Sequence, residues 1–333
     1  MWKYANPGDY RLLHRHNSKT YQNVTNDWGR GPKTGQAYTT QMEGDYPINI
    51  PDGTSELWFR ADILVADKVT LCFNTYNDLY RVELTLTKEG WQLKTNHRGY
   101  DYAAQKFAVL TANDEDKMDL DGRYATIVLH IKSGHINESS VFNQGNGCVE
   151  LRINNRIVVN RENIAVMNGE SILLPTFASF VGLSYFSNII VSDQKVLSRE
   201  HVYVLPVKSV LTNGWVADMV DNTQVGWTTN QVGKDIIQTI DVNTLKEKLG
   251  NAITIASLSV QAYDVSTNDE DYVDSIDQVV RIGGEEFNVG SSKITSSSYI
   301  NNAIMINPFT RKYWTLDDLE TTELILRSAK STD

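Results

Sequence analysis

The stretch Glu56-Leu57-Trp58-Phe59-Arg60-Ala61-Asp62-Ile63 has an apolar residue at every second position. Its odd-numbered positions from Leu57 to Ile63 are all apolar, whereas Arg60 and Asp62 lie between them. Successive side chains of a β-strand point to opposite faces of a sheet, so this alternation predicts a strand with one buried face. On this pattern Trp58 falls on the face opposite the core, where we expect it to be exposed.

The same period of two recurs through much of the chain, in residues 69–73, 80–86, 124–132 and 149–153. Two alternating strands between Glu150 and Val159 meet at Asn154-Asn155, residues that tolerate the positive φ of a tight hairpin turn. Many short strands with hardly any helix predict a β-sandwich, because stacking two sheets buries one face of each.

The pattern changes from about Lys208 onward, where a helix is predicted over residues 241–250. Asp241 is a good N-cap, and Gly250 suits the position just after the helix. Further strands follow, so a second, smaller α+β unit is expected. We place the units at 28–205 and 206–333. Residues 1–27 hold four aromatic residues without periodicity and are predicted to form an arm that packs on its own body or on a neighbouring subunit.

Composition excludes several classes of protein. The chain has 333 residues, a formal net charge of -10 and 41% hydrophobic residues, so it can bury real cores but is a poor partner for the phosphate backbone of nucleic acid. No stretch reaches the roughly 18 apolar residues of a membrane helix, and no signal peptide is recognisable. Cys72 and Cys148 have no metal-ligand spacing and cannot form a disulfide framework. A soluble protein made in a reducing compartment is expected.

The segment from Glu56 to Asp193 resembles a concanavalin A-like or laminin G-like lectin domain. The resemblance is carried by the opening Glu56–Arg60 strand, by the Asn154-Asn155 hairpin and by the closing run Asn188-Ile189-Ile190-Val191-Ser192-Asp193. It implies a jelly-roll β-sandwich, a fold that serves lectins, adhesins, hydrolases and spacers alike.

Residues 208–330 resemble the terminal module of tailed-bacteriophage virion proteins. The resemblance rests on the predicted 241–250 helix, the strand Ile255–Tyr263 and the signature Pro308-Phe309-Thr310-Arg311-Lys312-Tyr313-Trp314-Thr315-Leu316-Asp317-Asp318-Leu319-Glu320-Thr321-Thr322-Glu323. It implies a structural component of the virion, made in the cytoplasm of the bacterial host, that assembles with other virion proteins and with copies of itself. The position on the particle, whether capsid, neck, tail or fibre, stays open.

Catalysis finds no support in the sequence. The closely spaced carboxylates of sandwich-type glycoside hydrolases are missing, and Asp318 to Glu323 is better explained as a helix start in which Thr315 and Asp318 form a capping box. His130 and the other histidines show no arrangement with Ser or Cys that suggests a nucleophile. The chain is therefore predicted not to be an enzyme and to need no cofactor.

Two sets of residues are candidates for binding. An acidic cluster before the Tyr124 strand is either a solvated loop or a calcium site, with ligands Asp114, Asp116, Asp119 and Asp121. Aromatic residues in or beside loops of the sandwich are core edges, anchors of a protein interface, or platforms on which sugar rings stack: Trp28, Trp58, Tyr76, Trp91, Tyr100 and Tyr102.

Three functions fit these observations. The favoured one is a non-catalytic virion structural protein that displays a lectin-like domain and docks through its C-terminal module. The alternative is an adhesin that binds host surface glycans with an affinity strengthened by multivalency. The third is a polysaccharide depolymerase, for which Glu320 and Glu323 would be the only candidates.

Overall fold

The structure, a computed structural model, describes residues 2–6, 22–25, 36–40, 46–50, 55–65, 67–74, 80–97, 100–101, 106–107, 114–121, 124–134, 144–164, 166, 176–181, 184–197, 199–200, 202–203, 205–221, 224–250, 253–265, 273–294 and 298–330. The chain divides into two compact units, residues 1–203 (unit 1) and 204–333 (unit 2). The sequence placed this division two residues later.

Unit 1 is built from strands, which are β1 (Trp2–Asn6), β2 (Gln22–Thr25), β3 (Gln36–Thr40), β4 (Tyr46–Ile50), β5 (Glu56–Val65), β6 (Lys68–Asn74), β7 (Tyr80–Thr87), β8 (Gly90–His97), β9 (Tyr100–Asp101), β10 (Lys106–Phe107), β11 (Asp114–Lys117), β12 (Tyr124–Lys132), β13 (Gln144–Ile153), β14 (Arg156–Ile164), β15 (Thr176–Val181) and β16 (Ser184–Ser192).

Two antiparallel sheets face each other in unit 1. Sheet A has the strand order β14-β13-β12-β5-β16-β3-β2, with β1 also paired to β16, and sheet B has the order β11-β8-β7-β6-β15-β4. One apolar cluster contains the inward residues of both sheets, and Phe59 of β5 meets Phe73 of β6 edge-on at 5.3 Å between ring centroids. The alternation of residues 57–63 thus places one side of β5 in the core, as predicted.

Two strands of the predicted N-terminal arm are described, and both are paired. β1 pairs with β16 and β2 pairs with β3, so both strands belong to sheet A. The rest of the predicted arm, residues 1, 7–21 and 26–27, lies outside the described residues. Pairing with β16 satisfies backbone groups that a free arm would leave to water.

Asn154 and Asn155 form the predicted hairpin turn between β13 and β14. Their φ values are 51° and 67°, a region that asparagine tolerates better than most residues. The Asn154 side chain also accepts a hydrogen bond from the Thr126 amide at 2.9 Å. This contact fixes the turn to the neighbouring strand β12.

Unit 2 consists of β17 (Val207–Asn213), β18 (Val216–Asp221), β19 (Gln224–Thr228), β20 (Asp235–Ile240), α1 (Val242–Leu249), β21 (Leu258–Val265), β22 (Ser275–Ile282), β23 (Glu285–Lys293), β24 (Ser298–Ile304), α2 (Leu316–Glu320) and β25 (Thr322–Ala329). A five-stranded antiparallel sheet has the order β17-β20-β25-β22-β23, and β18–β19 and β21–β24 form two separate pairs.

Both predicted helix starts of unit 2 are confirmed. The Asp241 carboxylate accepts a hydrogen bond from the Thr244 amide at 3.1 Å, and Gly250 ends α1 at a φ of 77°. Thr315 and Asp318 form the capping box of α2. The helices contribute Leu245 and Leu319 to the core of this unit.

The predicted fold class, mostly β with a sandwich followed by a smaller α+β module, is confirmed. Among the helices that the structure describes, none has the length and apolar character needed to cross a membrane.

Candidate functional site

Trp58 lies on the outer face of sheet A but is buried, with 7% of its surface exposed. Its indole stacks on the His130 imidazole at 4.0 Å, with 10° between the ring planes. It also belongs to an apolar cluster with Val196 and Val202, from the segment that follows β16. The prediction that Trp58 is exposed is therefore wrong, because Val196 and Val202 cover this part of the sheet.

Trp91 is also unavailable for stacking on a sugar ring. It lies on the inner face of β8, opposite Leu86 in register, and is 5% exposed within the core. Of the other predicted aromatics, Trp28, Tyr76 and Tyr102 lie outside the described residues. Tyr100 begins β9, and its side chain is likewise outside them.

The acidic cluster is not the single loop that the sequence predicted. Asp114 and Asp116 belong to β11, which pairs with β8 at the edge of sheet B. Asp119 accepts a hydrogen bond from the Asp121 amide at 3.2 Å, and the Asp121 carboxylate lies 3.6 Å from the Lys88 ammonium. Among the side chains that the structure describes, no three carboxylates, histidines or cysteines are arranged to hold a metal ion. Calcium binding stays a prediction.

A cysteine, a histidine and a glutamate meet on the outer face of sheet A. Cys148 Sγ lies 3.7 Å from Nδ1 of His130, and Nε2 of His130 lies 2.8 Å from Oε1 of Glu56. The three residues come from β13, β12 and β5, which are adjacent strands in sheet A. Sequence analysis missed this group because only the register of three strands brings the residues together.

The three groups follow one another in the order of a nucleophile, a base and an orienting carboxylate. Their pKa shifts, however, are not those of an activated nucleophile. Burial lowers the pKa of His130, although the hydrogen bond with Glu56 opposes this shift. Burial and the negative charge of Glu56 raise the pKa of the Cys148 thiol. A cysteine nucleophile needs the opposite shift, since the thiolate is the reactive form.

The resting hydrogen-bond chain follows from these shifts. An ionised glutamate can only accept, so we assign the proton of neutral His130 to Nε2, which donates to Glu56. Nδ1 is then the acceptor for the Cys148 S–H group. The thiol keeps its proton, and the three residues join neighbouring strands of sheet A.

We expect Cys148 to be alkylated slowly at neutral pH. In a Cys72→Ser background, its rate with iodoacetamide should level off at a higher pH than that of a cysteine in an unstructured peptide, whose pKa is about 8.5. Glu56→Gln should increase the rate at pH 8, because it removes a negative charge beside the sulfur. Glu115→Gln changes an exposed carboxylate on the other sheet and is the control. A plateau below pH 7 would contradict this assignment and indicate an activated nucleophile.

The outer face of sheet B is polar on the four strands β6, β7, β8 and β11. Thr70, Thr85, Gln92 and Glu115 stand opposite one another in register on β6, β7, β8 and β11. We call these four residues the polar row. The Thr70 and Thr85 hydroxyls are 3.2 Å apart, and the Gln92 amide donates to Glu115 at 3.1 Å.

A second line of polar residues runs beside the polar row. Cys72, Glu83 and Lys94 follow one another across β6, β7 and β8. The described side chains of both lines are half-exposed or exposed. The face therefore presents hydroxyl, amide, carboxylate and ammonium groups to a ligand at regular interstrand spacings of about 4.8 Å.

No protein-family model matches the chain, and no curated protein matches it. Solved structures that resemble it include the alginate lyase Aly36B (TM-score 0.32, 11% identity, covering 51% of this chain and 86% of that chain). The carbohydrate-binding module CBM66 of Bacillus subtilis has a TM-score of 0.29 at 12% identity, covering 52% of this chain and 95% of its own. The binding domain of botulinum neurotoxin DC has a TM-score of 0.30 at 8% identity, covering 88% and 73%. Likenesses this distant do not indicate a function.

Proposed function

We propose that the chain is a non-catalytic binding protein whose unit 1 binds glycans on the outer face of sheet B. The polar row is the observation that carries this proposal. It places donors and acceptors on four adjacent strands in strict register, and its side chains are accessible to a ligand.

Sugar hydroxyl groups are both donors and acceptors of hydrogen bonds, and this face offers both kinds of partner. The Gln92 amide and the two threonine hydroxyls can each donate and accept, whereas Glu115 accepts and Lys94 donates. Each such bond adds only about 1 kcal/mol in competition with water, so a single site is expected to bind weakly. Display in several copies would strengthen the binding.

The electrostatics of Cys148 support the non-catalytic part of the proposal. The described constellation that most resembles a catalytic triad holds its thiol protonated, and it lies on sheet A rather than on the polar face of sheet B. The aromatic stacking that the sequence suggested for Trp58 and Trp91 plays no part, because both indoles are buried.

The test is a titration of the ¹⁵N-labelled full chain with a panel of neutral and acidic oligosaccharides, followed by NMR. We expect shift changes at amides of β6, β7 and β8. Gln92→Ala should weaken binding about tenfold, the equivalent of about 1.4 kcal/mol. Asn160→Ala, which truncates an exposed amide on β14 of sheet A, should leave it unchanged. Shift changes confined to other strands, or none with any oligosaccharide, would overturn the proposal.

A second function, that of a structural component of a phage virion, is favoured by the surface of residues 306–313 in unit 2. Phe309 and Tyr313 are 51% and 60% exposed there, beside the exposed Arg311 and Lys312. The buried Asn307 side chain accepts hydrogen bonds from the Phe309 and Thr310 amides, which fixes the turn. Aromatic and arginine side chains held in a rigid turn are typical anchors of protein interfaces.

We propose that this turn docks unit 2 onto an acidic surface of a neighbouring virion protein. Immunogold electron microscopy of phage particles, with antibody against the recombinant chain, tests the virion role. We expect label at a fixed position on intact particles. Unlabelled particles beside free protein, with disrupted particles showing that no epitope is masked, would refute it.

A further inference from the structure

β17 lies at one edge of the five-stranded sheet of unit 2. Among the described residues it pairs only with β20, in an unbroken ladder from Ser209 to Asn213. Its remaining backbone N–H and C=O groups face away from the sheet. Such an edge is a template for another strand unless charge, proline or a bulge protects it.

Apolar side chains project from both faces of this strand. Val210 is 41% exposed on the face that carries the core residue Ile240 of β20. Leu211 is 59% exposed on the opposite face, and Val207 at the start of the strand is 50% exposed. Val216 and Val232, 67% and 48% exposed, lie in or beside the turns that follow β17 and precede β20. Side chains of this kind lose water favourably when a partner strand is added.

The other edge of the same sheet is protected. β23 has an extra residue, Val289, that breaks its register with β22, and it begins with the acidic pair Glu285 and Glu286. Glu286 accepts hydrogen bonds from the guanidinium groups of Arg327 and Arg281, which hold its pKa at about 2. A bulge and fixed charges are the usual devices against strand addition. β17 has a bulge only at its first residues and carries a single charge, Lys208.

We propose that β17 pairs antiparallel with β17 of a second copy of this chain, so that two five-stranded sheets join into one sheet of ten strands. The charge of unit 2 restricts where a second copy can approach. Residues 204–333 hold 10 Lys and Arg against 18 Asp and Glu, a net charge of -8 that opposes the approach of a second copy to an acidic surface. The β17 edge carries no acidic residue, so this repulsion does not act through the strand itself.

The sequence of β17 is compatible with itself in this arrangement. Pairing centred on Val210 places Val210 opposite its own counterpart, Ser209 opposite Leu211, and Lys208 opposite Thr212. The two Lys208 residues are then four positions apart, about 14 Å, which is beyond the screening length at physiological salt. The proposal does not depend on glycan binding, which concerns unit 1.

Sedimentation velocity of the full chain, from about 1 to 200 µM, tests the dimer. The range is wide because an interface formed by one edge strand of each copy is expected to be small and weak. We expect a concentration-dependent shift from monomer to dimer. Leu211→Lys and Val210→Lys should each weaken it at least tenfold without changing the circular dichroism spectrum. Ile157→Lys makes the same change at a 47% exposed residue of β14, the edge strand of sheet A, and should leave the dimer intact.

Disulfide trapping tests the strand pairing itself, in a chain whose β17 edge carries no added charge. In a Cys72→Ser, Cys148→Ser background, Val210→Cys should form a covalent dimer on mild oxidation, because directly opposed strand residues have Cα atoms about 4.5–5.5 Å apart. Ile157→Cys should not. A chain that stays monomeric at every concentration, or a dimer that Ile157→Lys breaks and the β17 variants do not, would overturn the proposal.

Discussion

Asp62→Ala should destabilise unit 1 by about 3–5 kcal/mol, because it removes the carboxylate that pairs directly with a buried guanidinium. Arg60 is fully buried on β5, and its NH1 group donates to the Asp62 carboxylate at 2.8 Å and to the Asn188 carbonyl at 3.0 Å. The same carboxylate accepts hydrogen bonds from the Asn188 amide and the Thr126 hydroxyl, each at 2.7 Å. Removing the Asp62 carboxylate therefore breaks hydrogen bonds to residues of three strands, β5, β16 and β12.

Thermal and urea unfolding of the full chain, with hydrogen exchange of β5 and β12 amides as the reporter of unit 1, measures this effect. A loss of about 10 °C in the melting temperature of that unit is expected. Asp116→Ala removes an exposed carboxylate and should change the stability by less than about 0.5 kcal/mol. The double variant Arg60→Met, Asp62→Leu should recover much of the loss, since apolar replacement of a buried ion pair is often neutral. A single variant as stable as the parent would contradict this view of the network.

Trp314→Ala should have the corresponding effect on unit 2, with a loss of about 3–5 kcal/mol for a buried tryptophan. The Trp314 side chain is 2% exposed in the core of that unit, and its indole N–H donates to the Ile304 carbonyl at 2.8 Å. Truncation leaves a cavity beside α2 and removes the partner of a backbone carbonyl.

The adjacent residue provides the matched control for this variant. Tyr313 is 60% exposed, so Tyr313→Ala removes an aromatic ring one position away without opening a cavity. Hydrogen exchange in β22 and β25 should accelerate strongly in Trp314→Ala and remain unchanged in Tyr313→Ala. Equal effects of the two substitutions would mean that Trp314 is not a core residue of unit 2.

Much of the fold could be predicted because its signals are local. Alternation over residues 57–63 fixes which side chains of β5 share a face, whatever the strand packs against. The hairpin at Asn154-Asn155 and the caps at Asp241 and Thr315 depend on the residues within one turn. Each of these features is present in the structure as predicted.

The exposure of the candidate binding residues could not be predicted in this way, because the exposure of a side chain is not a local property. Alternation correctly places Trp58 on the outer face of β5, but Val196 and Val202, more than 130 positions away in the chain, cover it there. The sequence predicts that Trp91 lies in or beside a loop, whereas its position on β8 opposite Leu86 puts it in the core. A period of two assigns a side chain to a face and says nothing of what lies above that face.

The sequence by itself therefore determined the alternating strands, such as β5 and β12, with the face of each that is buried, the Asn154-Asn155 turn and the helix caps, because each depends on residues close together in the chain. The tertiary structure alone decided which polar groups meet. The register of β5, β12 and β13 brings Cys148, His130 and Glu56 together, and that of four strands aligns the polar row. It also decided that β17 lies at a sheet edge with its apolar side chains exposed. Strand order and register come from contacts between residues that are distant in sequence, and no short pattern in one strand encodes its neighbour.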